Sequence, residues 1–261
     1  MSIPPRKPVI ENYFTVVKTF GEFLTVAIHT ILYERNIYPQ STFITARKYN
    51  YPVRQNRHPK VCKWIMDAVA AVEEQMLQGT VDKINVILYA PSGEPVERVV
   101  FDISSFPTVP EKEKFTPFER TPAAQTEGNP EELEPGQQVT DEGGMGMNEV
   151  ATINFEEQFR AVFARLAFCG SSLAPLPDDS SFNVCIELKE EADPPLDNAH
   201  HQPWAPAQPS VYQPPSVSEE SETYQPSKGP KTYPIRSVAV GDFAFEVFFE
   251  EGTLKKPRGR Q

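Results

Sequence analysis

The sequence of 261 residues has little cysteine and no pattern that would pair it. Its three cysteines, Cys62, Cys169 and Cys185, include no Cys-x-x-Cys pair, and no Asn-x-Ser/Thr glycosylation site occurs. Both absences favour a reducing compartment and argue against a disulfide framework. No run of about 18 apolar residues stands out either, so the sequence predicts no membrane span and no membrane partner.

Motifs of catalysis and of metal or phosphate binding are also absent from the sequence. It contains no Gly-x-Ser-x-Gly, His-Glu-x-x-His or Walker-type motif. His200 and His201 stand beside no cysteine at zinc spacing. Glu97 and Asp102 have odd spacing in a predicted strand, so they point to opposite faces. The sequence therefore predicts no catalytic residue, metal or cofactor, with an enzyme of unknown type as a disfavoured alternative.

Negative charge and proline are concentrated in two segments. The chain has 27 prolines and a net charge of −11. Residues 107–149 hold 10 acidic and 3 basic side chains, and residues 190–231 hold 7 acidic and 2 basic ones. Such segments bury too little apolar surface to offset the entropy cost of ordering the chain. We therefore expect a near-neutral core, which gives no support to direct nucleic-acid binding, with a disordered insert at 107–149 and a flexible one at 205–231.

Hydrophobic periodicity predicts an α+β fold. Helical spacing covers residues 10–34, 59–78 and about 149–168, with Pro59 at a first-turn position and Gly79 as a stop. Strand patterns, interrupted by turn signals, predict two hairpins and a single strand, at 83–90 with 95–103, at 235–240 with 243–249, and at 182–188. This order predicts an antiparallel sheet with three helices packed on one face.

Residues in this core resemble the HORMA-domain family in the order in which they occur. Ala27-Ile28-His29 and Ile37-Tyr38-Pro39 resemble its first helix and the turn that follows. Further segments resemble one branch of the family, the non-catalytic accessory subunits of the translesion DNA polymerase zeta: Arg47–Asn50, His58-Pro59, Pro95–Ile103, Gln158–Ala161, Pro234-Ile235 and Val247–Glu251. The resemblance covers about 10–105, 150–190 and 232–251, and skips both acidic inserts.

The resemblance implies a HORMA domain over residues 10–251, interrupted by the two inserts and followed by a basic tail at 252–261. It also implies a mechanical function, in which a C-terminal safety belt traps an extended partner peptide against the sheet. In this branch the peptide contains proline and belongs to the polymerase zeta catalytic subunit, and a Y-family polymerase then binds as a scaffold. Another HORMA domain and a remodelling AAA+ ATPase are further implied partners.

The same resemblance implies roles for eight residues. From the residues alone, Trp64 also fits a core position, Arg160 a solvated helix face, and Trp204 an anchor on the domain body. The implied roles are contact with the trapped peptide for Trp64, Trp204, Tyr38 and Pro234, the scaffold-polymerase surface for Thr232, Glu246 and Phe248, and HORMA pairing for Arg160.

The end of the chain carries a basic cluster, Lys255–Arg260, of the nuclear-import type. It predicts a nuclear protein, with the cytoplasm as a second location, while chance occurrence and contact with nucleic acid stay open. A second functional hypothesis is a spindle-assembly-checkpoint HORMA protein that binds a kinetochore or anaphase-activator peptide. Tyr51-Pro52-Val53 with His58-Pro59 favours the polymerase branch.

Overall fold

The computed structural model describes residues 10–118, 147–195, 204–205 and 231–252. The predicted α+β class is confirmed, and each predicted helix and strand is present with its ends shifted by a few residues at most. Along the chain the elements are α1 Tyr13–Glu34, β1 Phe43–Lys48, β2 Tyr51–Asn56, α2 Pro59–Gln78, β3 Val81–Tyr89, β4 Pro95–Asp102, α3 Met147–Ser172, β5 Ser181–Leu188, β6 Lys231–Val240 and β7 Phe243–Glu251.

Helix α1 forms the centre of the core. Asn12 and Thr15 cap its N-terminus reciprocally, since Thr15 N–H donates to Asn12 Oδ1 at 2.9 Å and Asn12 N–H donates to Thr15 Oγ1 at 3.1 Å. Phe23 is fully buried and stacks on Phe159 and Phe163 of α3. By length and mean hydropathy, 22 residues and 1.3, α1 would also match a membrane span, but 72% of that window is buried inside the fold. It is therefore the core helix of this domain.

Five strands form one antiparallel sheet in the order β5–β3–β4–β7–β6, and β1 and β2 form a separate hairpin. All three helices pack on one face of the sheet, as the sequence predicted. Phe23 contacts Phe101 of β4 and Phe245 of β7, while α2 contacts β3 and α3 contacts β6. The consecutive strands β5 and β6 lie at opposite edges of the sheet. The chain between them therefore has to pass from one edge to the other.

A buried ion pair fastens the sheet to the helices. Arg35, 4% exposed, follows α1, and Glu97 on β4 has no exposed surface. The Arg35 guanidinium donates to both Glu97 carboxylate oxygens at 2.8 Å, and to the carbonyls of Gly170 and Ala174 at 2.7 and 2.6 Å. Bidentate geometry and the two carbonyls satisfy both buried charges. One side chain thus joins the end of α1, the middle of the sheet and the end of α3.

The hairpin of β1 and β2 is an element that the sequence analysis did not predict. Its turn consists of Tyr49 and Asn50, which have positive φ angles of 51° and 55°. Two-residue hairpin turns of type I′ require this conformation and usually contain Asn-Gly. Here the Tyr49 ring is buried 5.3 Å from the Phe159 ring and stacks on that of Phe163. Core packing therefore holds a tyrosine in a backbone conformation that its own preference opposes.

The described domain extends into the first part of the insert expected at 107–149. Phe14 N–H donates to the Lys114 carbonyl at 3.0 Å, and Phe118 N–H donates to the Glu11 carbonyl at 2.8 Å. Residues 111–118 therefore lie along the start of α1, where their main chain finds hydrogen-bonding partners. The remaining parts of the two expected inserts and of the tail lie outside the described residues, at 119–146, 206–230 and 253–261.

Candidate functional site

Strand β5 forms one edge of the sheet and borders a groove. It pairs with β3 on one side, and no other described strand lies on its other side. A cavity of about 670 Å³ adjoins the start of β5, lined by residues 180–183, by Ile37 and Tyr38, and by the first two turns of α2. An unpaired strand edge beside a largely apolar groove is the geometry to which an extended peptide adds as a further strand.

Three aromatic side chains give the groove its apolar character. The Trp64 ring of α2 meets the Phe182 ring of β5 edge-on, with centroids 4.9 Å apart, and the Tyr38 ring meets Phe182 at 6.3 Å. All three are half-buried and rest on the hydrophobic core. Burial raises the pKa of Tyr38, so its phenol stays neutral. The structure therefore brings together two of the predicted peptide-contact residues, Trp64 and Tyr38.

The walls of the groove are held by hydrogen bonds to buried groups. Asn56, 1% exposed, accepts from His58 N–H at 2.8 Å through Oδ1, and its carbonyl accepts from the Cys62 thiol at 2.8 Å. On the other wall, Ile37 N–H donates to the Leu32 carbonyl at 3.0 Å. The first turns of α2 are thereby held to the end of β2, and the turn that carries Tyr38 is held to α1.

Trp204 lies in the connection between β5 and β6. It is half-buried, and its side chain packs against the hydrophobic core of the domain. A large aromatic residue in a polar, proline-rich stretch thus rests on the domain body, one of the two positions that the sequence left open. Its contact with a bound peptide stays a prediction.

The three residues predicted for the scaffold-polymerase surface share one face of the β6–β7 hairpin. Phe248 lies opposite Pro234, Thr232 opposite Glu250, and Glu246 opposite Ser237. These pairs alternate with Phe245, Val247 and Phe249, which are buried against the helices. The face is therefore the outer one, turned away from the helices. Pro234, predicted for peptide contact, lies here at the edge opposite the groove and does not line it.

Arg160, predicted for pairing between HORMA domains, lies on α3 beside a second cavity of about 470 Å³. Its guanidinium donates to the Tyr49 carbonyl at 3.3 Å and lies 3.5 Å from the Glu157 carboxylate. It is half-buried, so part of the side chain stays open to a neighbouring molecule.

Sequence reasoning missed Phe182, Lys60 and His58 as groove residues. Phe182 was predicted only as the first residue of a strand, Lys60 only as part of the helix that begins at Pro59, and His58 only as part of the family resemblance. Whether a strand lies at the edge of a sheet depends on the order of strands, which a local pattern does not reveal. The available signal was an aromatic residue directly after the polar turn at 178–181.

The cysteines and histidines form no reactive cluster in the described part of the chain. Burial raises the pKa of both Cys169 and Cys185, so these side chains stay as thiols. Within the described ranges, no three His, Cys, Asp or Glu side chains are grouped to hold a metal ion. His200 and His201 lie outside the described residues.

Comparison with known proteins identifies the family. The sequence-family model for the HORMA domain matches residues 16–243. The chain belongs to the HORMA-domain family. It is 29% identical over 237 residues to the DNA polymerase zeta processivity subunit of Schizosaccharomyces pombe, covering 91% of this chain and 93% of that protein. It is 24% identical to the mitotic spindle assembly checkpoint protein MAD2B of Danio rerio, covering 90% of each. The resemblance to this family and to its polymerase zeta branch is thereby confirmed.

Solved HORMA structures share the fold. A chain in the mitotic checkpoint complex superimposes with a TM-score of 0.60 at 17% identity, covering 91% of this chain and 99% of that one. Caenorhabditis elegans HTP-2 bound to a HIM-3 closure motif superimposes with a TM-score of 0.54 at 12% identity, covering 96% and 99%. These likenesses show that the three chains share one fold.

Proposed function

We propose that this HORMA protein is a non-catalytic adaptor that traps a proline-containing peptide of the DNA polymerase zeta catalytic subunit in the groove beside β5. The observation that carries the proposal is the edge of β5, which no further described strand occupies, next to Trp64, Tyr38 and Phe182. The choice of polymerase rests on the similarity to the S. pombe processivity subunit over nearly the whole chain.

The groove suits an extended peptide that contains proline. Main-chain hydrogen bonds to β5 supply affinity for any sequence, and the three rings select apolar side chains. Proline has no N–H to donate, so in an added strand it takes positions whose N–H points away from β5. Aromatic-lined grooves are a recurrent binding site for proline-containing segments. Proline restricts the backbone of the free peptide, so the peptide loses little conformational entropy when it binds.

Trp204 acts as part of the lid over the bound peptide. It rests on the core in the connection that passes from the edge at β5 to the edge at β6. A segment that covers a ligand has to open before the ligand leaves, so it lowers the dissociation rate more than it raises the association rate. Trp204→Ala is therefore expected to accelerate dissociation while the association rate changes little.

The outer face of the β6–β7 hairpin is the surface proposed for a Y-family scaffold polymerase. Thr232 and Glu246 are exposed there and Phe248 is half-buried, so one apolar side chain is flanked by polar ones. Binding on this face leaves the β5 edge free, which lets one domain bridge two polymerases in translesion synthesis and DNA damage tolerance. The basic tail supports a nuclear location, and Arg160 supports pairing with another HORMA domain that an AAA+ ATPase would remodel.

The test is binding of overlapping peptides from the polymerase zeta catalytic subunit, measured by surface plasmon resonance on the full chain. We expect one proline-containing peptide to bind and to dissociate slowly. Trp64→Ala is expected to weaken binding about thirtyfold and Trp204→Ala to accelerate dissociation. Met66→Ala is the matched control, because Met66 lies on the same helix with 64% of its surface exposed and does not line the groove. Absence of any binding peptide contradicts the proposal.

A second candidate function is that of a spindle-checkpoint HORMA protein. The relatives named mitotic spindle assembly checkpoint protein MAD2B favour it, including the human protein at 38% identity over 92 residues. Affinity capture of the tagged chain from nuclear extract, read by mass spectrometry, separates the two. Recovery of a B-family polymerase catalytic chain, lost in Trp204→Ala, supports the first function, whereas recovery of checkpoint proteins instead supports the second.

A further inference from the structure

The charge in the groove has the opposite sign to that of the whole protein. Among the described residues that line it, Lys60 and His58 are the ionisable ones besides the neutral phenol of Tyr38, and none is a carboxylate. The whole chain, by contrast, carries a net charge of −11. A basic group beside three aromatic rings in an acidic protein is a local feature that a partner of matching charge would use.

Lys60 is available to such a partner. Its side chain is exposed, and no carboxylate in the described residues pairs with it. Lys63, less than one helical turn further on, gives the contrast, because its ammonium lies 2.7 Å from the Asp67 carboxylate and is already neutralised. Within the described ranges, Lys60 is therefore the ammonium at the groove without a carboxylate partner, and Lys63 is a paired one on the same helix outside it.

We infer that the groove selects a peptide with an acidic side chain close to the apolar residue that packs on Trp64 and Phe182. This inference rests on the proposed peptide-binding function and adds the charge of the ligand to it. Lys60 and Trp64 are four residues apart on α2, about 6 Å along the helix axis. An extended peptide advances about 3.3 Å per residue. The acidic side chain thus lies within two residues of the apolar one.

Asp178 and Asp179 are acidic residues that directly precede the groove-lining residues 180–183 in the sequence. They precede β5 in an exposed turn and do not line the groove. Their carboxylates lower the net positive potential at the start of β5 without pairing with Lys60. The contribution of Lys60 is consequently a preference among peptides and not the main source of affinity, which the edge strand and the rings supply.

The test is selection of peptides from a randomised display library with one fixed proline, using the full chain as the target. We expect Asp or Glu to be enriched within two residues of the selected apolar position. Lys60→Glu is expected to replace that preference with Lys or Arg and to weaken a selected acidic peptide about tenfold, because an attraction becomes a repulsion. Lys63→Glu makes the same charge change outside the groove and is expected to leave both the preference and the dissociation constant unchanged.

Each outcome of the selection decides one of the two ideas. Peptides without acidic enrichment, or a Lys60→Glu variant with the wild-type preference, overturn the inference and leave the proposed function standing. An equal effect of Lys63→Glu also overturns it, because the preference would then come from the general field of the helix. Failure of the wild-type chain to select any peptide overturns both ideas together.

Discussion

The two edges of the sheet offer partners different kinds of surface. At one edge, β5 borders a groove with three aromatic rings, where the proposed peptide would pair its main chain and bury side chains. At the other edge, β6 contacts α3 through Arg236, whose guanidinium donates to Gln158 Oε1 at 2.8 and 3.0 Å. The outer face of the β6–β7 hairpin exposes Thr232 and Glu246 beside the half-buried Phe248, so a partner there would contact side chains.

This difference would let one small domain hold the two proposed partners at once. Three strands separate β5 from β6, so the edges lie about 19 Å apart at the usual spacing of about 4.8 Å between strands. A peptide in the groove and a protein on the hairpin then have no need to touch. What joins the two surfaces is the frame of strands and helices between them, and the largest effects are expected from mutations in that frame.

Glu97→Gln is expected to cause the largest loss of stability, because it destabilises the packing of the helices on the sheet that carries both edges. The change leaves the buried Arg35 guanidinium without its counter-charge, which costs about 3–5 kcal/mol of unfolding free energy. Urea denaturation followed by circular dichroism measures the loss. Replacing both partners by apolar residues, Arg35→Met with Glu97→Leu, is expected to recover much of it, since no unpaired charge remains. A loss below about 1 kcal/mol in the single variant would contradict the role of the pair.

Acid is expected to weaken the groove side of the molecule through His29 of α1. Burial lowers the pKa of His29 to about 4 from its ordinary value of 6.5. As the pH falls below 6.5, the unfolded chain takes up this proton first, so stability is lost progressively down to pH 4, by about 3 kcal/mol in all. Above pH 6.5 the residue has no such effect.

A hydrogen bond connects His29 to the segment that precedes α2 beside the groove. Its Nδ1 accepts from Asn56 N–H at 3.4 Å, and Asn56 in turn holds the start of α2 beside the groove. Urea denaturation between pH 7 and pH 4 measures the effect, and His29→Gln is the matched variant, because it keeps an acceptor and removes the titration. Equal slopes of stability against pH in the two proteins would show that other groups cause the acid sensitivity.

Trp64→Ala is expected to weaken peptide binding in the groove and to leave the hairpin surface unaffected. The truncation removes the ring that meets Phe182, and loss of a central aromatic anchor typically costs about 2 kcal/mol of binding, or about thirtyfold in the dissociation constant. Isothermal titration of the peptide gives this value, with Met66→Ala as the control. Binding of the scaffold polymerase to the hairpin is expected to stay unchanged, and a parallel loss there would show that the two edges are coupled.

The sequence predicted the helices and most strands because each buries a regular apolar stripe. The β1–β2 hairpin was missed, since Tyr49 and Asn50 form its turn only when the Tyr49 ring is packed against Phe159 and Phe163, far along the chain. In the same way, the resemblance located Trp64 and Tyr38, but Phe182 joined them only through the strand order. Local patterns specify elements, whereas edges and grooves arise from how distant elements meet.

Glu246→Gln is expected to have the smallest effect on stability. It tests whether the hairpin surface acts independently of the groove. Glu246 is exposed on the outer face opposite Asp102 of β4, and no basic side chain in the described residues pairs with it. Removing its charge is expected to change the unfolding free energy by less than about 0.5 kcal/mol and to leave peptide binding in the groove unchanged.

Glu250 is the control for this last change, because it lies on the same face but is 8% exposed and forms an ion pair with Arg98. Glu250→Gln weakens that pair and is expected to cost about 1–3 kcal/mol. Altered binding of the scaffold polymerase by Glu246→Gln, at unchanged stability and unchanged peptide affinity, is the result expected of an independent second surface. A change in peptide affinity would mean that the hairpin and the groove act as one site, because Glu246 lies at the far side of the sheet from β5.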